Sequence, residues 1–301
     1  MPTKASPMSK LHLQAAMLLF LAASVCSAED MAVMHAKYEK LKADAGFKRL
    51  LGTCPILATW DDHDYGVNDG GAEYPKRMES QRLFVDFWND APDSVRRQRP
   101  GVYDAKIFGP KGNRVQVLLL DTRYFRNALK RGERRTGGAY VPNPDPTATM
   151  LGEAQWAWLE EQLHDPAELR VLVTSIQCLP AASGQETWSN LPLERSRLFE
   201  LLAKTKAAGI VMINGARHWS ELSSIEEGVP YPIHELTSSS LNQVHPRGTP
   251  TVNRFRALNN TFHRENYGAV LIDWEVGRLS LQIRDVDGAE RLEKRIDLAE
   301  L

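Results

Sequence analysis

The sequence has 301 residues, of which 43% are hydrophobic and 25% are charged, and its formal net charge is −1. This composition is typical of a globular protein with a sizeable core, in one large α/β domain or two small ones. The charge balance excludes a whole-protein field that would attract nucleic acid or an anionic membrane. We find no nucleic-acid-binding module in the sequence.

Residues 1–28 have the pattern of a secretory signal peptide. Lys4 and Lys10 precede an apolar stretch over residues 15–23, and small residues follow as far as Ala28. The apolar stretch is too short to span a bilayer comfortably. Val25 is larger than the residue expected before a lipidated cysteine at position 26. We therefore predict an exported protein, periplasmic or secreted, with no stable membrane anchor after cleavage, and a single domain over residues 29–301.

Cleavage at that point would leave two cysteines, Cys54 and Cys178, each beside a predicted strand. We expect two buried thiols, although an oxidising compartment also permits one disulfide between them.

The apolar pattern predicts alternating helices and strands over the first two-thirds of the mature chain, followed by strands joined as hairpins. Helices are expected at 31–50 (with a break near Gly46), 76–90, 152–164 and 192–208. Strands are expected at 55–60, 115–120, 170–175, 210–214, 233–239, 268–274 and 279–284, with a proline- and glycine-rich loop at 137–146 and a hairpin turn at 275–278. This order favours one layered α/β domain with polar residues gathered at strand ends.

Two short basic clusters, at residues 96–99 and 130–135, are interpreted as solvated loop or helix faces, with contacts to an anionic substrate as the alternative.

The stretch W-D-D-H-D-Y-G-V-N-D, residues 60–69, directly follows an apolar run and begins with three carboxylates and one histidine within five residues. Carboxylates this close together need a cation, a hydrogen-bond network or open water. Carboxylate and imidazole groups are ligands for iron, zinc or manganese, and carboxylate oxygens also suit calcium. The alternative is structural: Asp62 caps a turn, His63 makes a hydrogen bond in the core and Asp64 faces water. The stretch alone does not decide between them.

Other polar stretches also follow predicted strands directly, at the strand ends where sites assemble in open α/β sheets. They are Asp121-Thr122-Arg123, Ser175-Ile176-Gln177 and Asn214-Gly215-Ala216-Arg217-His218.

Taken together, six stretches resemble the alkaline phosphatase D (PhoD-like) metallophosphatases of the calcineurin-like phosphoesterase superfamily. They are A-T-W-D-D-H-D-Y-G-V-N-D (58–69), L-L-L-D-T-R-Y-F-R (118–126), L-G-E-A-Q-W-A-W-L-E (151–160), E-T-W-S-N-L-P-L-E-R-S-R-L (186–198), the G-x-x-H-x-x-E stretch around His218, and N-Y-G-A-V-L-I-D-W (266–274). They occur in the family order and cover most of the chain from about residue 31 onward.

The resemblance implies a calcineurin-like sandwich of two mixed β-sheets flanked by helices. It also implies a phosphoester hydrolase that uses two metal ions (iron and calcium, or zinc or manganese) on phosphomonoesters or phosphodiesters. By position, Asp62 resembles a metal ligand that the wider superfamily supplies as asparagine. His63 resembles the general acid or transition-state contact, and His218 resembles a metal-ligating histidine. Asp61 is a further candidate ligand, and Arg217 is a candidate fork-shaped contact to phosphate.

The sequence departs from the family pattern in two places. The family begins with strands that supply metal-binding aspartates in a G-D motif, and no G-D motif occurs upstream of Trp60. Ala216 stands where many members carry an aspartate. We therefore expect the first core strands and the N-terminal metal-binding segment to be missing. The alternative to an enzyme is a non-catalytic metallophosphatase-fold binding protein that has lost its first metal site. Glu186 and Arg195 are expected either at the substrate entrance or in packing.

Overall fold

The computed structural model describes residues 31–135, 138–181, 184–241, 243–246 and 252–301, so the predicted signal peptide lies outside the described residues. The helices are α1 (Met31–Ala43), α2 (Ala45–Leu51), α3 (Asp62–Tyr65), α4 (Arg77–Phe87), α5 (Val95–Gln98), α6 (Gly152–Leu163) and α7 (Pro192–Thr205). The strands are β1 (Asp104–Phe108), β2 (Val115–Leu119), β3 (Arg131–Arg135), β4 (Gly138–Tyr140), β5 (Leu169–Val173), β6 (Ile210–Asn214), β7 (Glu221–Ile225), β8 (Ile233–Thr237), β9 (Asn266–Asp273), β10 (Arg278–Asp285) and β11 (Glu290–Asp297).

The largest sheet has six strands in the order β1-β2-β5-β6-β8-β7. The four inner strands run parallel, and β1 and β7 pair antiparallel at the two edges. All four inner strands are buried on both faces, and three of them, β2, β5 and β6, have the mainly apolar sequences expected there. One face packs under α6 and α7, where Trp156, Leu159 and Leu198 share a hydrophobic core with Leu118 and Leu172.

The other face of this sheet packs against a second sheet in the order β11-β10-β9. Alternate residues of β2 and β5, among them Val117 and Val171, share a core with Leu281 and Ile283 of β10. This period of two is the pattern expected of a strand that separates two layers. The second sheet differs from the prediction because it is antiparallel throughout rather than mixed.

The residues predicted as a strand at 55–60 are in fact an extended segment outside both sheets. Thr59 Oγ1 donates to the carbonyl of Leu120 at 2.7 Å, and Trp60 Nε1 donates to Asp121 Oδ1 at 2.8 Å. Only the end of this run, from Ala58 to Trp60, is buried, and Trp60 packs edge-on against Tyr65 and Phe84. Side-chain anchoring, rather than a backbone ladder, therefore fixes this segment.

Three further details differ from or refine the predictions. The break in the first helical stretch falls at Asp44, whose Oδ1 accepts the Phe47 N–H at 2.8 Å and begins α2. Arg96, expected in a solvated cluster, is buried and paired with Asp90. The two cysteines are free thiols, Cys178 buried and Cys54 half-buried.

In the part of the chain that the structure describes, no helix is long and apolar enough to cross a membrane.

Candidate active site

The polar residues that follow the parallel strands meet at one edge of the six-stranded sheet. Because β2, β5 and β6 run parallel, their carboxyl ends lie side by side. Thr122, after β2, forms a hydrogen bond with Ser175, after β5. The extended segment through Trp60 is tied to the same edge by its contacts with Leu120 and Asp121, and this brings α3 onto the strand ends.

Local hydrogen bonds account for part of the crowded charge in α3. Asp64 Oδ1 accepts the backbone N–H of Asp61 at 2.9 Å, as part of a capping box. Asp62 Oδ1 accepts the His63 N–H at 2.8 Å, and Asp62 Oδ2 accepts the Asp69 N–H at 3.1 Å. Burial nevertheless raises the pKa of Asp64 well above its usual range, with the charge of Asp61 adding to the effect.

A buried arginine compensates two further carboxylates. Arg123 is fully buried and pairs with Asp61, with an Nε–Oδ1 distance of 2.9 Å. The same guanidinium donates to both oxygens of Glu186, at 2.6 and 2.8 Å. Arg126 also reaches Glu186 Oε1, at 3.0 Å. Burial would raise the pKa of Glu186, but the two arginines lower it to about 2.

Asp69 lies opposite Glu186 and is held in an unusual conformation. Its φ is +53°, a left-handed value that aspartate and asparagine tolerate better than most residues. Asp69 Oδ2 accepts hydrogen bonds from Tyr140 Oη at 2.7 Å and from Asn68 Nδ2 at 2.8 Å. Burial, with the charge of Glu186 in addition, raises the pKa of Asp69 to about 7, although Tyr140 and Arg123 act in the opposite direction.

Asp62, Asp69 and Glu186 form a carboxylate cluster in which the three ligand oxygens lie within 4.8 Å of one another. Among the described residues, no second group of three histidine, cysteine, aspartate or glutamate side chains converges in this way. A cation is one way to offset such crowding, because neighbouring carboxylates otherwise disfavour each other's charged form.

Arg217 lies close to this cluster and has an unused donor. Its guanidinium stacks 4.6 Å from the centre of the Trp219 ring, and its buried Nε has no hydrogen-bond partner among the residues that the structure describes. Burial lowers the pKa of Arg217, whereas the charges of Glu186 and Asp69 raise it. A buried donor without an acceptor is costly, so this position favours an incoming anion.

His218 is fixed by its contacts with two neighbours. Its N–H donates to Ser239 Oγ at 2.8 Å, its carbonyl accepts the His245 N–H at 2.8 Å, and its Nδ1 lies 3.2 Å from His245 Nε2. Burial, followed by the charge of His245, lowers the pKa of His218 to about 4, and Asp62 opposes this shift. His218 is therefore neutral near pH 7, the form in which imidazole can bind a metal.

The structure thus brings most of the residues predicted from sequence to one place. Asp62 belongs to the carboxylate cluster, and the charges of Asp62 and His63 both act on His218. Asp61 is committed to Arg123 and is not one of the three converging carboxylates, so its role as a ligand stays a prediction.

The sequence reasoning did not identify Asp69, His245 or the arginine pair as members of the site. Asp69 ends the quoted D-D-H-D-Y-G-V-N-D stretch and precedes Gly70-Gly71, a turn signal that indicates where the chain reverses. Glu186 was expected at the substrate entrance or in packing, and it lies instead inside the cluster. We see no local signal for His245.

Three comparisons relate this chain to known proteins. A family model for PhoD-like phosphatases matches residues 23–284. Alkaline phosphatase D from Bacillus subtilis (strain 168) is 24% identical over 225 residues, covering 67% of this chain and 37% of the relative. A solved structure described as that of PhoD matches with a TM-score of 0.61 at 17% identity, covering 84% of this chain and 54% of the other. This chain therefore spans about a third to a half of the length of these two proteins. Because the family model matches most of this chain, the chain belongs to the PhoD-like phosphatase family.

Proposed function

We propose that this protein is an exported, metal-dependent hydrolase of phosphomonoesters or phosphodiesters. The observation that carries the proposal is the convergence of Asp62, Asp69 and Glu186 within 4.8 Å, beside a buried, unpartnered donor of Arg217. Carboxylates suit a cation and the arginine suits a phosphate, so the two features together fit a phosphoester better than either does alone.

The donor set fits a cation at the carboxylate cluster. Burial and the charge of Glu186 raise the pKa of Asp69 to about 7, and a cation between the two carboxylates would oppose that shift, which supports the proposal. Glu186 fits less well than the two aspartates, because Arg123 already binds both of its oxygens. We infer that Asp62 and Asp69 are the principal ligands of one ion. A second ion, which the family resemblance implies, would have to use His218, and its presence is part of the proposal.

A cation held there would supply Lewis-acid polarisation of the phosphoryl group and activation of water. The residues of the chain would do the rest. Arg217 would donate from Nε to a non-bridging phosphoryl oxygen, and its stacking on Trp219 would fix the direction of that donor. His63, half-buried on α3, would donate a proton to the leaving oxygen. Arg123 would hold α3 in place through Asp61 without touching the substrate.

The experiment is to express residues 1–301, recover the exported protein without added metal, and measure three quantities on the same preparation. N-terminal sequencing tests cleavage after Ala28, elemental analysis counts bound metal, and hydrolysis of p-nitrophenyl phosphate and bis-p-nitrophenyl phosphate tests the activity. We expect one to two equivalents of metal, and hydrolysis that EDTA abolishes and added Ca²⁺, Mn²⁺, Zn²⁺ or iron restores.

The matched variants are Asp62→Ala, which removes a candidate ligand from the cluster, and Asp93→Ala, which makes the same change in an exposed loop. Asp62→Ala should lose metal and activity together, and Asp93→Ala should keep both. A folded protein that binds no metal and hydrolyses neither substrate would contradict the proposal and would favour the non-catalytic binding protein.

A further inference from the structure

A cavity of about 340 Å³ lies outside the candidate active site. It is formed between α4, the segment that follows it, and the loop after β2. Four arginines line it, Arg82, Arg96, Arg97 and Arg99, together with apolar side chains. None of them belongs to the carboxylate cluster. Tyr124, which lines this cavity, directly follows Arg123, which pairs with Asp61 and Glu186 at the candidate active site. Two neighbouring residues of one loop therefore belong to different sites.

The buried side chain of Gln81 holds the walls of this arginine pocket in place. Its Nε2 donates to the carbonyls of Arg96 and Arg99, each at 2.7 Å, and its Oε1 accepts the Gly101 N–H at 3.0 Å. Arg96 also donates to the Ala58 carbonyl, at 2.9 Å. The pocket is therefore already formed without a ligand, which reduces the entropic cost of binding.

Two of the four arginines have carboxylate partners. Arg96 binds both oxygens of Asp90, at 2.7 and 2.5 Å, and Arg97 Nη1 lies 2.5 Å from Asp86. Asp86 and Asp90 thus balance Arg96 and Arg97.

The other two, Arg82 and Arg99, form no ion pair within the described part of the chain. Arg82 is exposed on α4. Arg99 donates to the Tyr103 carbonyl and stacks 3.5 Å over the Tyr103 ring, and its Nε is buried without a hydrogen-bond partner. Burial lowers the pKa of Arg99 more than Tyr103 and Asp104 raise it. The Nε of Arg99 therefore lacks an acceptor, and Arg82 and Arg99 line the cavity without an ion-pair partner among the described residues.

The remaining walls are apolar. Met78 and Val85 lie on the face of α4 that lines the cavity, and Tyr124 and Pro100 close it. A volume of about 340 Å³ falls at the lower end of the range for small-molecule sites. We propose that this arginine pocket binds a small organic oxyanion, in which a phosphoryl or carboxyl group meets Arg82 and Arg99 and an apolar body contacts Met78, Val85 and Tyr124. Guanidinium groups suit such oxyanions because their N–H donors form a planar fork.

The test is isothermal titration of the full chain with phenylphosphonate, which has no ester bond to hydrolyse, in EDTA so that no cation recruits it to the carboxylate cluster. We expect one molecule to bind per chain. Arg82→Glu should weaken binding at least tenfold, because it reverses the charge of an exposed side chain. The control Lys111→Glu makes the same change in an exposed turn between β1 and β2 and should alter affinity less than twofold.

Two further measurements separate this pocket from the candidate active site. Met78→Trp, at a side chain that is 55% exposed, should block the apolar part and also weaken binding, whereas Asp62→Asn should leave it unchanged. Inorganic phosphate should bind at least tenfold more weakly than phenylphosphonate. Absence of binding, binding that survives both pocket substitutions, or binding lost in Asp62→Asn would each overturn the proposal. Equal affinity for phosphate would overturn the apolar part of the ligand.

Discussion

Both carboxylate oxygens of Glu186 accept hydrogen bonds from the guanidinium of Arg123, at 2.6 and 2.8 Å, in a fully buried pair. Arg123 also binds Asp61, so one guanidinium joins the start of α3 to the loop after β5. This relationship answers how the chain tolerates the charge of W-D-D-H-D: backbone N–H groups and a buried arginine compensate much of it. Burial nevertheless keeps the pKa values of Asp64 and Asp69 raised.

Replacing Arg123 with methionine should strongly destabilise the fold, because two buried carboxylates would lose their shared partner. We expect the free energy of unfolding to fall by about 3–5 kcal/mol in urea denaturation at pH 7. The control Lys204→Met breaks an exposed pair with Glu160 and should cost less than about 1 kcal/mol. Adding Glu186→Gln to the Arg123 variant should recover part of the loss. If the two single variants lower the free energy of unfolding equally, the buried arginine does not stabilise the fold through its carboxylate partners.

Asp69→Asn should separate the role of Asp69 in the fold from its role in binding a cation. Asparagine tolerates the left-handed backbone and can still accept the Tyr140 hydrogen bond, so the fold should persist. In EDTA the variant should be at least as stable as the wild type, because the repulsion with Glu186 is gone. Added Mn²⁺ or Ca²⁺ should raise the melting temperature of the wild type more than that of the variant, since a bound ion stabilises only the form that binds it.

The control for this comparison is Asp93→Asn, which should respond to the cations as the wild type does. If the cations raise the melting temperatures of the wild type and of Asp69→Asn equally, Asp69 is not a ligand.

The inner layer of the fold could be predicted from sequence because its strands are buried on both faces. β2, β5 and β6 are short, continuous apolar runs, and all three were expected within one or two residues of their observed bounds. The edge strands β1, β7 and β11 were missed. D-A-K-I-F and E-R-L-E-K-R-I-D carry charges that suit a partly solvated edge and resemble loop sequence, and E-L-S-S-I is short and largely polar. The prediction of a strand at 55–60 was wrong for a different reason. An apolar run indicates burial, but it does not show that a neighbouring strand is available for backbone hydrogen bonds.

The candidate site could be predicted only where a motif carries several of its groups. Asp62 and His63 come from one stretch, and His218 comes from the polar residues after β6. The approach of Glu186 to Asp69 depends on a loop 117 residues further along the chain, and nothing local to either residue specifies it. The pairing of Arg123 and Arg126 with Glu186 could not be predicted for a similar reason, because these residues are distant in sequence.

His63→Gln should reduce hydrolysis without releasing metal, if His63 donates a proton as proposed. The side chain is half-buried on α3, and its backbone N–H, which Asp62 accepts, is unchanged by the substitution. We expect kcat to fall by about 10²–10⁴-fold, with the metal content equal to that of the wild type. His35→Gln, on an exposed face of α1, is the matched control and should have no effect. Loss of metal together with activity would assign His63 to the metal site instead.

Glu235 should make the stability of the fold depend on pH. It is fully buried on β8, and its Oε2 accepts the N–H groups of Cys178 and Leu179 at 2.8 and 3.0 Å. Burial raises its pKa from 4.5 to about 7, although the two N–H groups and the side chain of Asn214 act in the opposite direction. The folded state therefore holds a proton on Glu235 that the unfolded state releases above its lower pKa, so this contribution to stability is complete below pH 4.5 and is lost as the pH rises through about 7.

Glu235→Gln keeps an oxygen that can accept the same two N–H groups and removes the titration. Between pH 4.5 and pH 8, the wild type should lose about 3 kcal/mol of unfolding free energy relative to this variant, measured by urea denaturation across that range. Glu226→Gln, an exposed residue after β7, should follow the wild type at every pH. If the curves of Glu235→Gln and the wild type stay parallel, Glu235 does not change protonation between the folded and unfolded states in this range.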